Sequence, residues 1–198
     1  MTPPDLLSRA MLEPTDPPLR PLPHPVAGLL HRLSASPRLA VHLRAVHDVA
    51  HRLVDWTESR APGLDVDRAA VLFGAATHDI GKTEHPAELS GPGSRHEEAG
   101  RKLLLTHGFD AGLARFAGTH ATWSAAGATL EDLLVSTADK IWKNKRVPDL
   151  EDLVVERLVR ATGREHWEEF LALDEELERI GDGAEQRLAL QASFPVGP

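Results

Sequence analysis

The 198-residue chain contains no cysteine. Disulfides and thiolate metal sites are both excluded, and a reducing cytoplasm is the expected compartment. No apolar run approaches the ~20 residues that span a bilayer. The N-terminal "MTPPDLLSRAMLEPTDPP" has neither the basic stretch nor the apolar core that directs export. The expectation is a cytoplasmic, non-exported protein without a membrane partner. Cations are scarce as well, with 22 Lys and Arg against 30 Asp and Glu and a net charge of −8. That balance argues against an extended nucleic-acid surface. A small anionic substrate stays compatible with it, provided that local cations or a metal supply positive charge.

Proline, by contrast, is abundant and unevenly placed. Eight of the 15 prolines fall within residues 1–25, where each removes a backbone donor and biases its predecessor away from helix. Residues 1–25 therefore read as an irregular arm, and 26–198 as one domain long enough to bury its own core. From Val26 onward the apolar spacing is helical and no stretch alternates as a strand does. Leu39, Leu43, Val46, Ala50 and Leu53 form one stripe, and the next helix runs through "VDRAAVLFGAATHD" to a stop at Gly81. Ser94 with Glu97 has the pattern of a capping box ahead of "AGRKLLLTHG". Asp110 can cap "AGLARFAGTHATW", and Thr129 with Asp132 can cap "LEDLLVSTADKIWKNKR". Pro148 suits a first helical turn, and "EHWEEFLALDEELERI" carries Trp167, Phe170, Leu177 and Ile180. The fold class predicted is all-α, a bundle of about six to eight helices joined by short loops, with C-terminal helices over 148–192.

Eleven histidines are many for an acidic chain, and their placement matters more than their number. His42, His78, His96 and His120 each lie on a separate predicted helix or helix end, with apolar neighbours at helical spacing. Asp139 lies between Val135 and Trp142 on a predicted helix, and a carboxylate facing a bundle core is costly unless paired or bound to a metal. Taken one at a time, each of these residues has the alternative of a satisfied core or surface group. Taken together, four imidazoles with Asp79 and Asp139 make a candidate metal site inside a bundle. Without sulfur, such donors suit one or two divalent ions of Fe, Mn, Ni, Co or Zn, with Mg also possible. The adjacent pair His78 and Asp79 at a helix end can deliver two donors to one point. If Asp79 uses both oxygens, it can bridge two ions.

These residues resemble the HD superfamily of metal-dependent phosphohydrolases. Its pattern is a His on an early helix, an adjacent His-Asp pair about one helix later and an Asp on a later helix, with two more histidines between them in the bimetallic subgroup. The matching stretches are "VHLRAVHDVAHRL", "GAATHDIGK", "SRHEEAGRKLL", "FAGTHATW" and "STADKIWK", in that order, within residues 30–146. The first offers His42, His47 and His51. In the family, the helix continues from its His with an apolar residue four positions on, a small one eight on and Leu eleven on. His42 gives Val46, Ala50 and Leu53, whereas His47 gives His51, Asp55 and Glu58. The choice falls on His42, which leaves His47 a place behind the ligands and His51 in solvent. His24, His31, His85, His107 and His166 read as surface or loop residues.

The resemblance implies an all-helical HD domain in which His42, His78, Asp79 and Asp139 hold one ion, while Asp79 bridges to a second ion held by His96 and His120. It implies hydrolysis of a small phosphorylated substrate, a nucleotide or another phosphate ester, because two ions can activate a water and neutralise a phosphoryl group. Asp79 and Lys82 are the catalytic candidates. Lys82 reads as a phosphate contact or as the orienter of a nearby carboxylate, against the alternative of a cation favoured by a helix C-terminus. "KNKR", Lys143 to Arg146, could collect phosphates or simply be a solvated helix end. Arg101 lies five residues after His96, too far round the helix for a shared face. Trp123 and Trp142 could stack on a base or pack in the core. Two competing implications are a di-iron oxygenase built on the same ligands and a non-catalytic regulatory module. Loops such as "TEHPAELSGPGSR" can supply pocket walls, and its part "AELSGPGSR", between two ligand helices, can be a mobile rim or equally a plain connector. The acidic C-terminal helix can pack against a partner such as a second copy of the chain in a homo-oligomer.

Overall fold

A computed structural model describes residues 5–124 and 127–197; residues 1–4 of the proline-rich arm lie outside it. All of its regular elements are helical. They are α1 (Leu6–Leu12), α2 (His24–Arg32), α3 (Pro37–Arg60), α4 (Arg68–Thr77), α5 (Arg95–Thr106), α6 (Ala111–Thr119), α7 (Leu130–Ile141), α8 (Pro148–Thr162), α9 (His166–Gly181) and α10 (Ala184–Ala192). Two 3-10 turns, Ile80–Thr83 and Pro86–Leu89, connect α4 to α5. The bundle thus has more helices than the six to eight expected among the described residues, and no helix is long and apolar enough to cross a membrane.

α3 is the axis of the bundle. Its 24 residues pack against α1, α4, α7, α9 and α10, and they run buried on nearly every side from Leu39 to Ala50. Its N-cap is Ser36, whose hydroxyl accepts the Leu39 N–H, and Pro37 occupies the first turn where no donor is needed. Asp110 caps α6, Thr129 and Asp132 close a reciprocal capping box on α7, and Pro148 opens α8, all as the spacing predicts. α9 buries Leu173, Leu177 and Ile180, while Trp167, Phe170 and Leu171 remain exposed.

Two expectations need correction. The arm is not irregular throughout, because its prolines leave a window free from residue 5 to 13. There Asp5 caps α1, and Ala10 and Met11 are completely buried. Arg44, fully buried on α3, donates to the carbonyls of Ala10, Leu19 and Arg20 and fastens the arm to the axis. The second correction concerns α5. Ser94 makes no side-chain cap; Glu88, from the second 3-10 turn, accepts the N–H groups of Arg95 and His96 instead. A carboxylate that reaches across from a loop satisfies these donors as an N-cap would.

Two apolar clusters form the core. One gathers the later part of α3 with α7, α8 and α9, and the other gathers α1, α2, the first turns of α3 and Leu103 and Leu104 of α5. Neighbours of the predicted ligands are divided between them. Leu43, Ala76, Ile80 and Ala117 belong to the second, whereas Ala45, Ala75, Phe116 and Ala138 belong to the first. The polar residues therefore meet at the seam between two packed bodies, which hold their side chains in place.

Candidate metal centre

Each predicted ligand stands near a helix end or on a buried turn. His42 is on the second turn of α3, His78 is the residue that closes α4, and Asp79 follows as the chain turns into the first 3-10 element. His96 is on the first turn of α5, His120 closes α6 and Asp139 lies in the last turn of α7. All six are buried.

The structure brings them together around Asp79. His42 Nε2 lies 2.9 Å from Asp79 Oδ2 and 3.2 Å from His78 Nε2. His78 Nε2 is 3.5 Å from Asp79 Oδ2 and 3.4 Å from Asp139 Oδ1. On the other oxygen, Asp79 Oδ1 is 3.0 Å from His96 Nε2 and 3.6 Å from His120 Nε2. Two groups result, His42-His78-Asp79-Asp139 and Asp79-His96-His120, with Asp79 in both and donor atoms within 4.8 Å of one another in each.

The donor set fits a divalent metal. Asp79 Oδ1 and His96 Nε2 are buried and hydrogen-bond to no described residue despite their 3.0 Å separation, as expected of two donors that face a shared third partner. Donors bound to one ion at ~2.1 Å stand roughly 3–3.5 Å apart, and the contacts given above run from 2.9 to 3.6 Å. The ring nitrogens are also aimed. The Nδ1–H of His78 donates to Ala75 O at 2.9 Å, and that of His120 donates to Ala117 O at 3.2 Å. Each helix-closing histidine thus uses the carbonyl three residues back to turn its Nε2 into the cluster. His96 turns its own Nδ1 toward Glu88 Oε2 at 2.6 Å.

Without an ion the cluster draws protons in its place. Burial works against charge on His78, but Asp79 and Asp139 outweigh it and raise the imidazole to about 9. Burial alone would raise Asp79, yet His78 and the other imidazoles hold it well below the usual carboxylate range. Burial pushes His120 down to about 4, helped by repulsion from His78, and pushes His47 to about 4 as well.

These shifts predict how metal-free stability depends on pH. His78 is raised above its unfolded value of 6.5, so its contribution is complete below pH ~6.5 and is lost as pH rises through about 9. His120 and His47 are depressed, so the unfolded chain binds their protons first and stability falls as pH drops from 6.5 toward 4. Metal-free protein is expected to be most stable near pH 6.5. A metal held by His78 would take the place of its proton and should remove the alkaline decline. Urea midpoints measured across pH with chelator and with metal check both limbs; an alkaline decline that persists with metal contradicts the placement of His78.

The remaining sequence candidates sort by contact. Lys82 Nζ lies 2.6 Å from Asp79 Oδ2, so in this state it orients the carboxylate. His47 donates to Leu72 O and lines an apolar groove with Leu22 and Phe73; it does not stand behind the ligands. Arg146 is paired with Glu151 and Asp174, and Arg101 pairs with Glu98 in solvent. Trp142 is buried with its ring 4.9 Å from that of His42, so it packs rather than stacks on a ligand. Trp123 is half-buried, with Lys140 Nζ 5.7 Å from its ring centre.

Sequence reasoning missed two residues. Lys140 lies 2.6 Å from Asp139 Oδ2, and its signal was its position directly after that aspartate. Glu88 was concealed in a loop, eight positions before the histidine that it touches.

A family model described as HD domain matches residues 39–143, which include all six ligand candidates. No curated protein and no solved structure matches the chain.

Proposed function

The chain belongs to the HD domain family, whose members are mostly metal-dependent phosphohydrolases, and on that premise we propose that it hydrolyses a small phosphorylated substrate, a nucleotide or another phosphate ester, at a di-metal centre. The observation that supports this most is the sharing of Asp79 between two groups of buried donors. His42, His78, Asp79 and Asp139 would hold the first ion; Asp79, His96 and His120 would hold the second. A divalent pair there supplies Lewis acidity, which lowers the pKa of water and neutralises phosphoryl charge.

The chain's own residues supply the rest. Backbone carbonyls and Glu88 fix the tautomers of three histidines and so orient their Nε2 atoms in advance. The six candidate ligands are nearly inaccessible, whereas the Lys82 and Lys140 side chains that touch them are 16% and 15% exposed, so these two cations stand between the cluster and solvent. In an otherwise acidic protein they would offer two cations to an anionic substrate that approaches the cluster. Their 2.6 Å contacts with Asp79 and Asp139 also orient those carboxylates. The half-buried Trp123 lies beneath Lys140, its ring centre 5.7 Å from Nζ, and would add an apolar surface beside that cation.

The test is elemental analysis of the purified protein paired with a screen of phosphorylated metabolites. We expect about two equivalents of Fe, Mn, Ni, Co, Zn or Mg per chain, together with metal-dependent phosphate release that a chelator abolishes. Protein that carries metal but releases phosphate from no member of a broad screen would refute the hydrolase assignment.

A further inference from the structure

Glu88 sits in the second 3-10 turn, within the stretch that reads from sequence as a rim or connector. Its carboxylate is nonetheless only 10% exposed and is used fully. Oε1 accepts the Arg95 N–H at 3.3 Å, while Oε2 accepts the His96 N–H at 3.1 Å and the His96 Nδ1–H at 2.6 Å. The last contact is among the shortest polar contacts of the protein, and it lies on the ring nitrogen opposite the one that faces Asp79. The loop is shaped around it. A Cβ on Gly93 would lie 2.4 Å from Glu88 Cδ and Oε1, so glycine leaves the space that the carboxylate occupies.

The other two histidines with an anchored Nδ1 in the cluster obtain their orientation from their own helix. His78 and His120 close α4 and α6 and reach back three residues to a carbonyl. His96 cannot do so. It lies at the start of α5, where the residues before it belong to a loop and the helix offers N–H groups, not carbonyls. An external acceptor is required, and Glu88 is the group that supplies it.

We propose that Glu88 is the positioning residue of the second-ion half of the centre: it fixes His96 with its proton on Nδ1 and its Nε2 free to bind, and it thereby makes that half depend on the folded state of the 84–94 loop. The proposal rests on the two-ion reading given above. A carboxylate behind a ligating imidazole orients the ring and raises its basicity, and removing one lowers metal affinity 10–100-fold. The first group, built on His42, His78 and Asp139, has no contact with Glu88 and should keep its affinity.

The experiment compares wild type, Glu88→Gln, Glu88→Ala and Gly93→Ala by metal titration and by NMR of the imidazole protons. Wild type should take up two ions and, when metal-free, show a protected His96 Nδ1–H resonance. Glu88→Ala should lose that resonance and bind the second ion ~10–100-fold more weakly, with the first ion unchanged. Glu88→Gln keeps an acceptor oxygen and should recover most of the second-ion affinity. Gly93→Ala, which displaces the carboxylate without removing it, should resemble Glu88→Ala. Loss of a helix cap alone would lower the melting temperature of Glu88→Ala without changing second-ion affinity relative to the first. Two ions bound at wild-type affinity by folded Glu88→Ala, or a His96 Nδ1–H resonance that survives in it, overturns the proposal alone. A wild-type protein that binds fewer than two ions overturns the two-ion reading itself, and the proposal with it.

Discussion

Asp79→Ala is expected to empty both halves of the metal centre together and to lower phosphate release at least ~10³-fold. Asp79 is the only residue common to the two donor groups, one oxygen serving each. Removing His42 or Asp139 should weaken one ion, and removing His96 or His120 the other; removing Asp79 should weaken both. The size follows from chemistry that depends on charge neutralisation by metal. Such neutralisation is worth several kcal/mol, and about 1.4 kcal/mol corresponds to tenfold in rate. Metal content by elemental analysis and kcat on a substrate from the screen measure the two effects separately. Full metal content in folded Asp79→Ala, or phosphate release near the wild-type rate, would sink the assignment.

The same substitution should also change the metal-free protein. Asp79 is a main reason that His78 is raised to about 9, and without it burial drives that imidazole back toward neutrality. The alkaline decline in stability predicted for metal-free wild type should therefore shrink in Asp79→Ala. Lys82 loses its partner at 2.6 Å and, being partly exposed, can turn to solvent. Asp79→Asn is the sharper control, because it preserves volume and one carbonyl oxygen while removing the charge that both groups share.

How much of this was readable from sequence depends on whether the cause was local. The residues that meet in the cluster were readable mainly through the resemblance to the HD pattern, whose order they follow; periodicity by itself placed them only on helices or helix ends with apolar neighbours. The anchoring of His78 and His120 was implicit in their place at helix ends, since the carbonyl three residues back comes with the helix. Where the partner is distant in sequence, nothing local announced it. Glu88 serves His96 from another element, and Arg146 of "KNKR" is neutralised by Glu151 and Asp174 from the next two helices. α1 was missed for a different reason: proline density averaged over 25 residues concealed a nine-residue window without any. His42 was separable from His47 by what followed each on one helix, and the structure places His42 in the cluster and His47 against the Leu72 carbonyl.

Gly81 is where sequence identified the right residue for an incomplete reason. It reads as the point where the chain leaves the helix after the His-Asp pair. In the structure, a Cβ there would lie 2.0 Å from His96 O and 2.5 Å from Gly100 N. Gly100 in turn has Gly81 N at 3.0 Å from its own notional Cβ. Two backbones, the first 3-10 turn and α5, therefore cross in direct contact, and that crossing brings His96 Nε2 within 3.0 Å of Asp79 Oδ1. Backbone atoms cannot yield as a flexible side chain can, so Gly81→Ala must push α5 away. We expect a loss of more than ~3 kcal/mol, at the upper end for overpacking, or roughly 10 °C in melting temperature for a chain of this size. The displacement also separates His96 from Asp79. A misplacement of ~1 Å can cost ~10²-fold in rate, and activity should fall by at least that much even at temperatures where the variant stays folded. Two other glycines isolate the cause. Gly63 has open space around it, and its alanine variant should be near neutral. Gly108 also has open space but a φ of +83, so alanine there should cost about 1 kcal/mol of backbone strain while metal binding is unchanged. Calorimetry and second-ion titration on the three variants decide the matter: if Gly81→Ala melts and binds as Gly63→Ala does, the backbone crossing is not what holds the second half of the centre together.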